Sequence, residues 1–311
     1  MKNSGIVKNF LLFGQMKQLL VLHFLFSALL LQAQLFDNKM GHAYGEQPRF
    51  NAEFIRLNKI KVIKGQFNYK RPGEVMKSTK YRYEFSFDTL GRLISSFENR
   101  QDDGSKDTLW FWYTYDASNH LIEERRGNHV ASSFTRYTYD ISDHKTSITK
   151  GNYSLDNANR KQELIFGTET MAYQNEPNKE VITFSNSYDL PYLQETVSYS
   201  STGYLLEKQQ RYLMTSDIVT ERFSYNEKGL VAQIELVESG NEIPVERLEY
   251  DYDTNNQMIE QRVYRNGKYT TEVEFLYNEK SQLLTFILTR DVLTNYLMVL
   301  DITDIQRYSP F

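Results

Sequence analysis

The sequence predicts an all-β protein, an antiparallel repeat sheet of about sixteen strands that coils or spirals. Three observations predict it. Tyr (23) and Phe (19) are plentiful while Gly (15) and Pro (6) are not, a balance that favours half-buried pleated surface over helix. Apolar and polar residues alternate with period two through many short runs. A unit of about 26 residues, seen most plainly at 223–231, recurs from residue 81 almost to the C-terminus.

The N-terminus carries an address. Lys17 precedes an apolar run from Leu19 to Leu31 and then Gln32-Ala33-Gln34, the pattern of a secretory signal peptide cut after Ala33, with Met16 as an alternative start. Residues 1–33 are thus expected to be removed. With them go Lys2, Lys8 and Lys17 and no acid, making the formal charge of −4 three units more negative. Such an acidic product is not expected to bind nucleic acid or an anionic membrane. No cysteine is present, so packing must supply the stability.

Residues 34–58 are polar and aperiodic at first and read as a lead-in. Alternation starts at Lys59, and a first hairpin runs out through Phe67 and Tyr69, turns near Pro72-Gly73, and returns along 80–87 with Tyr81, Tyr83, Phe85 and Phe87 on one face. The repeat domain then extends to residue 290. Its turns are expected to open at Asp88, Asp116, Asp140, Gln174, Ser200, Asn226, Asp253 and Asn278. Each opener follows an aromatic or apolar pair spaced i, i+2, such as Phe223/Tyr225 or Tyr250/Tyr252. Three residues beyond most openers stands a residue type that tolerates a left-handed backbone: Gly91, Asn119, Asp143, Gly203, Gly229, Asn256 or Ser281. An Asp, Asn or Ser bonding its own turn, followed by that residue, fits a type I turn closing with a bulge. The opposite ends have turns of their own, with Asn266-Gly267 the strongest two-residue hairpin signal. Two strands per unit and eight units give the count of sixteen. Residues 291–311 are expected to cap the sheet edge as a strand pair or short helix.

The unit Tyr-x-Tyr-Asp-x-x-Gly-x-Leu resembles the YD repeat of the Rhs family, found in bacterial Rhs toxins and in animal teneurins. Tyr115-Asp116, Tyr139-Asp140, Tyr225-Asn226 with Gly229, and Tyr252-Asp253 carry the resemblance, and Tyr277 continues it. It implies a short exported stand-alone member without a toxin domain, its sheet spiralling into a shell that binds partners or encloses cargo.

Chemistry is less legible than scaffold. His42, His120, His129 and His144 are scattered, with His120 and His144 at turn positions, so no metal site is expected. Asp251 to Asn255 begins like a calcium loop, but Asn256 stands in place of the glycine and Arg262 in place of the closing Glu. Glu123, Glu124, Glu207, Glu235 and Glu260 lie among Lys, Arg and Gln along outgoing strands, as on a solvated face, and no catalytic residue, cofactor or metal ligand is assigned. Trp110 and Trp112, the only tryptophans, fall opposite Phe111, Tyr113 and Tyr115 and are the candidate ligand contacts. The expectation is a non-enzymatic envelope or surface module with a glycan or envelope-protein partner and no membrane contact after cleavage. A carbohydrate-binding receptor or carbohydrate-active enzyme, and an outer-membrane β-barrel, are the alternatives.

Overall fold

The structure, a computed structural model, describes residues 34–45, 47–99, 108–128, 130–155 and 160–309. The signal-peptide segment and His129 therefore lie outside the described residues. Eighteen antiparallel strands follow in order: β1 (Ile60–Lys70), β2 (Lys77–Phe87), β3 (Leu93–Asn99), β4 (Thr108–Tyr115), β5 (Leu121–Gly127), β6 (Ala131–Tyr139), β7 (Lys145–Leu155), β8 (Lys161–Glu176), β9 (Lys179–Ser185), β10 (Pro191–Tyr199), β11 (Leu205–Tyr212), β12 (Ile218–Tyr225), β13 (Val231–Glu238), β14 (Glu246–Tyr252), β15 (Met258–Arg265), β16 (Lys268–Tyr277), β17 (Leu284–Asp291) and β18 (Leu297–Arg307).

Every strand pairs with its neighbours in sequence, and β1 also pairs with β18, from Ile60 opposite Arg307 to Lys70 opposite Leu297. The sheet is therefore a closed barrel. This corrects the expectation of about sixteen strands in a coiled or spiralling sheet. The eight repeat units supply β2 to β17, and the two further strands are the ones that close the ring. Closure removes the exposed edges a spiral would leave, and the segment expected to cap an edge supplies β18 instead.

The alternation of each strand sets inside against outside. Tyr83 and Phe87, Phe223, Leu248 and Tyr250, and Val273 and Phe275 point inward and are buried. The opposite row carries charges. On the wall of β14 to β17, Arg262 reaches Asp251 (2.7 Å), Glu260 (2.9 Å) and Glu249 (3.2 Å), and Arg290 pairs with Glu272. Between β4 and β7 both faces are mixed. Trp112, Arg125 and Phe134 lie opposite one another in register on the outer face, while Tyr113 and Glu124 face the lumen. There the Tyr137 hydroxyl donates to Glu124 at 3.3 Å, and burial holds the Lys145 ammonium below its usual range.

A ring of eight strands is filled by its own side chains, but one of eighteen is not. The lead-in segment fills this one. Phe36 and Phe50 form a small bridge inside the barrel, followed by the one helix among the described residues, α1 (Ala52–Leu57), capped by Asn51. Leu35, Phe36, Ala43, Phe54 and Ile55 are buried. Phe36 meets Phe275 edge-on at 5.4 Å and Phe50 meets Phe87 at 5.0 Å. Gly41, at φ 67°, presses so close to the wall that a Cβ would lie 2.0 Å from Ile234 Cδ1. The polar residues of this plug are spent on its seating. Asn38 accepts from the Ala43 N–H at 3.0 Å and donates to the Tyr252 hydroxyl at 2.9 Å, and His42 Nε2 lies 3.2 Å from Glu221. Lack of periodicity made this stretch read as a lead-in because a plug matches its surroundings, not a helix or strand period.

The repeat builds one rim of the barrel, called here the near rim. Asp116 shows its geometry: the side chain accepts from the N–H groups of Ser118 and His120 (2.8 and 2.9 Å), Asn119 turns at φ 72°, and the backbone of Asp116 pairs with that of His120. Asp140, Asn226 and Asp253 repeat it, with Gly229 at φ 74° in the third position. Three details differ from the sequence expectation. Gln174 lies inside β8, whose turn is Pro177-Asn178. In the Asn278 turn the left-handed residue is Gln282, not Ser281. Asn186 opens an unanticipated turn of the same kind at the other end of the barrel, with Asp189 at φ 58°.

Candidate functional site in the barrel lumen

Plug and wall do not fit together completely. Between them lies a cavity of about 230 Å³, bounded by Phe36, Tyr44 and Phe50 of the plug and by Ile63, Phe67, Tyr83, Phe85, Phe111, Ile287 and Leu300 of the wall. Its lining follows from the inward rows of β1, β2, β4, β17 and β18. Each row contributes an aromatic or branched apolar residue because these rows are the barrel's core face.

A few polar groups interrupt that lining: Tyr83, Ser96 and Glu98. Tyr83 is the unusual one. It is 5% exposed, and its hydroxyl has no hydrogen-bond partner among the described residues. Burial drives its ionisation well above the usual phenol range, with Tyr44, Asp301 and Glu98 adding to the shift. A buried hydroxyl left unpaired costs about 1–3 kcal/mol. The ring is held in place by its neighbour across the sheet: Gly65 pairs with Tyr83, and a Cβ on Gly65 would fall 2.8 Å from Tyr83 Cζ. Tyr44, opposite, is pushed up to about 12 by burial. The cavity thus offers an apolar body and a donor with nothing to bind, a combination suited to an apolar molecule bearing one acceptor.

The tryptophans lie elsewhere. Trp110 and Trp112 sit on the outer face of β4, half-buried, with their rings parallel within 8° and 5.8 Å apart. Phe97 packs on Trp110 at 4.9 Å, and the Arg125 guanidinium covers Trp112 at 4.6 Å. Beside them Phe134 stacks on Tyr153 at 4.4 Å, and Arg136 donates to the Tyr153 hydroxyl at 2.7 Å. This outer cluster is engaged with itself, and Phe97 is the member that also borders the lumenal cavity.

The repeat tyrosines do more than pack. The hydroxyls of Tyr115, Tyr139, Tyr225, Tyr252 and Tyr277 donate to the carbonyls of Leu93, Leu121, Leu205, Val231 and Met258 in the preceding unit, at 2.7–2.9 Å. Units are thereby stitched together at the near rim. His120 and His144, expected at an exposed turn, instead stack on Tyr139 and Tyr173 of the next unit at 4.4 and 4.5 Å, where Arg92 lies over Tyr115 in the same manner. Among the described residues no three His, Asp or Glu side chains gather as a metal site would require.

No family model matches the chain, and no curated protein matches it. Among solved structures, the TcdB2-TccC3-Cdc42 complex aligns over 78% of this chain at 14% identity and a TM-score of 0.32, and the chain spans 13% of the length of that one. A porin-like protein from Bacteroides uniformis ATCC 8492 aligns over 79% of this chain and 98% of its own at 12% identity and TM-score 0.38. A LolA superfamily protein from Nitrosomonas europaea aligns over 82% and 92% at 8% identity and TM-score 0.24. At such values the likeness assigns neither family nor function, and the YD-repeat resemblance rests on the turn residues themselves.

What sequence reasoning missed is the partnership of Gly65 with Tyr83. The signal was present, since a lone glycine inside an alternating strand marks a close approach. Which ring fills the gap follows only from strand register.

Proposed function

We propose that this protein is an exported, non-catalytic binding protein that holds a small apolar ligand with one hydrogen-bond acceptor inside its barrel. The observation that carries the proposal is the unpaired, buried Tyr83 hydroxyl on the wall of an apolar cavity. A dry cavity of about 150 Å³ lined by Leu, Ile and Phe binds benzene. The 230 Å³ here accommodates a somewhat larger ring or a short chain. Export is supported by the N-terminal signal pattern.

A water-facing barrel fits the outer wall better than the outer-membrane alternative does. Closure is what that alternative requires, but a lipid-facing wall costs about 2–4 kcal/mol for each Arg or Lys at the midplane. Here Arg262 and its three acids stand in the middle of the outer face.

The test uses the neutral probe N-phenyl-1-naphthylamine with competing decane and decanol. Saturable probe fluorescence is expected, with decanol the better competitor. Ile287→Trp should abolish binding by filling the cavity. Tyr83→Phe should weaken decanol while leaving decane unchanged, and should stabilise the empty protein by about 1 kcal/mol because the unpaired hydroxyl is gone. Absence of saturable binding, or binding indifferent to Ile287→Trp in a folded variant, would sink the proposal.

A further inference from the structure

The apolar cavity is not the whole of the space that the plug leaves in the lumen. Against β14 and β15 lies a second space of about 340 Å³ with a polar lining, to which the plug contributes Gln47 and Arg49 and the wall contributes Glu246, Gln261 and Arg265. Glu246 and Arg265, 3.5 Å apart, stand where β14 and β15 meet the connections of the rim opposite the Asp/Asn turns, called here the far rim. The Arg265 side chain is 66% exposed, so the space opens to water there. Tyr44 and Gly45 border both spaces, and this stretch of the plug stands between them. Gly45 is exposed, its backbone is not left-handed, and a Cβ there would meet nothing within 4 Å. Open space thus surrounds the plug at the junction.

The second space also holds a polar group with nothing to bind. Gln261 lies opposite Tyr250 and Val273 on the inward row, is 6% exposed, and its Oε1 has no hydrogen-bond partner among the described residues. An unpaired buried amide lowers stability, and the inward neighbours Leu248 and Val263 show that an aliphatic residue would serve the packing. The amide both donates and accepts. Charge in this space does not favour one sign. Arg49 and Arg265 stand against Glu246, the plug sequence adds Glu46, and His42 is taken by Glu221 at 3.2 Å. An anionic ligand group would meet the acids and a cationic one the arginines, so both are disfavoured.

We propose that the two spaces form one site and that the lumenal ligand is an amphiphile, its apolar chain in the dry cavity and an uncharged, hydroxyl-bearing head against Gln261, with Gly45 at the passage between. The inference rests on the binding reading above and adds the other end of the ligand. A hydroxyl matches because it donates to Gln261 Oε1 and accepts from the amide nitrogen or from Arg49. The acceptor for Tyr83 is then a carbonyl where chain and head join, since Tyr44, which borders both spaces, is near enough to Tyr83 to act on its ionisation. An enclosed apolar body with a few convergent polar groups is the usual form of a small-molecule site. Here the polar groups lie on the side that opens to water.

The experiment is displacement of N-phenyl-1-naphthylamine from the protein by monodecanoylglycerol, decanoate, decyltrimethylammonium and decanol, each below its micellar range. The glyceride is expected to compete best, ahead of both charged amphiphiles and of decanol. Gln261→Leu should weaken the glyceride about fivefold, the effect of one hydrogen bond, while decanol and the probe bind as before and the urea midpoint holds or rises. Gly45→Leu, which requires no change of backbone, should weaken the glyceride about tenfold or more by obstructing the passage, and decanol much less. A charged amphiphile that outcompetes the glyceride would overturn the proposal, as would a glyceride indifferent to Gln261→Leu. In either case saturable binding of probe and decanol would leave the apolar cavity standing as a binding site. Absence of saturable probe binding would remove both readings.

Discussion

The near and far rims of this barrel are built from the same eighteen strands under different rules. At the near rim each turn is bonded to the next. Arg92 donates to Asn119 Oδ1 at 2.8 Å, His120 Nε2 lies 3.1 Å from Asp143, Lys228 donates to Asn256 at 2.9 Å, and Asn255 donates to Gln282 at 3.1 Å. This explains why Asn or Asp occupies several left-handed positions where glycine would be less strained: the side chain serves the neighbouring turn. At the far rim no such chain of turns repeats among the described residues. Connections range from the two residues Asn266-Gly267 upward, and several of them carry exposed apolar residues such as Val75, Met214 and Leu293. A repeat conserves what touches its neighbour and leaves free what does not, so scaffold concentrates at one rim and individuality at the other.

The sharpest way to break this comparison is to put the same small change on each rim. Gly91 and Gly240 have nearly the same backbone, φ 83° and 86°. A Cβ on Gly91 would fall 2.0 Å from the carbonyl oxygen of Ala52 at the start of α1, whereas one on Gly240 would meet nothing within 4 Å. Gly240→Ala should cost only the left-handed strain, about 1–2 kcal/mol. Gly91→Ala adds a backbone clash between rim and plug and should cost about 4 kcal/mol or more. Urea denaturation midpoints decide it, and equal losses would mean that the near rim does not anchor the plug.

The tyrosine hydroxyls come next. Tyr252 donates to Val231 O at 2.7 Å and accepts from Asn38 of the plug at 2.9 Å, so Tyr252→Phe should cost about 2 kcal/mol, and Tyr225→Phe, with one such bond, about 1 kcal/mol. Tyr188→Phe at the far rim should change nothing measurable. Thermal melts of the three variants would show whether the hydroxyl at the repeat position carries the stitching or the ring alone suffices.

Strand positions, the near-rim turns and the inward face were legible because each rests on local chemistry: period-two alternation around Tyr83 and Phe85, side-chain-to-backbone bonding at Asp116, left-handed tolerance at Gly229. Closure was not, since the pairing of Ile60 with Arg307 joins residues almost a whole chain apart and no local pattern encodes it. The plug was hidden for the same reason. Asn38, His42 and Glu221 have partners that only the closed ring brings within reach. Trp110 and Trp112 were placed on the correct face of their strand, but the arginine over Trp112 comes from the next strand and changes what that ring has left to offer.

Acid should act on the link between plug and wall. The hydrogen bond from His42 holds the Glu221 carboxyl below its ordinary value, against the opposing effect of burial. A carboxylate depressed in the folded state contributes stability that is fully present above its unfolded pKa of about 4.3 and is lost as pH falls through the folded value. Both side chains are partly exposed, so the contribution should stay below about 1 kcal/mol. Glu221→Gln should therefore flatten the stability profile below about pH 4–5 without altering its shape at neutral pH. An unchanged acid limb would place the acid sensitivity in other carboxylates, such as Asp116, which the His120 N–H likewise holds down.

The smallest effect belongs to the far rim. Met214 and Leu293 are 89% and 74% exposed and contribute little burial to the fold, so Met214→Ser and Leu293→Ser should each shift stability by no more than about 0.5 kcal/mol. Chemical denaturation of each variant measures this directly. A loss above about 1 kcal/mol at either position would mean that the exposed tip supports the barrel after all, and the two rims would then share one structural role.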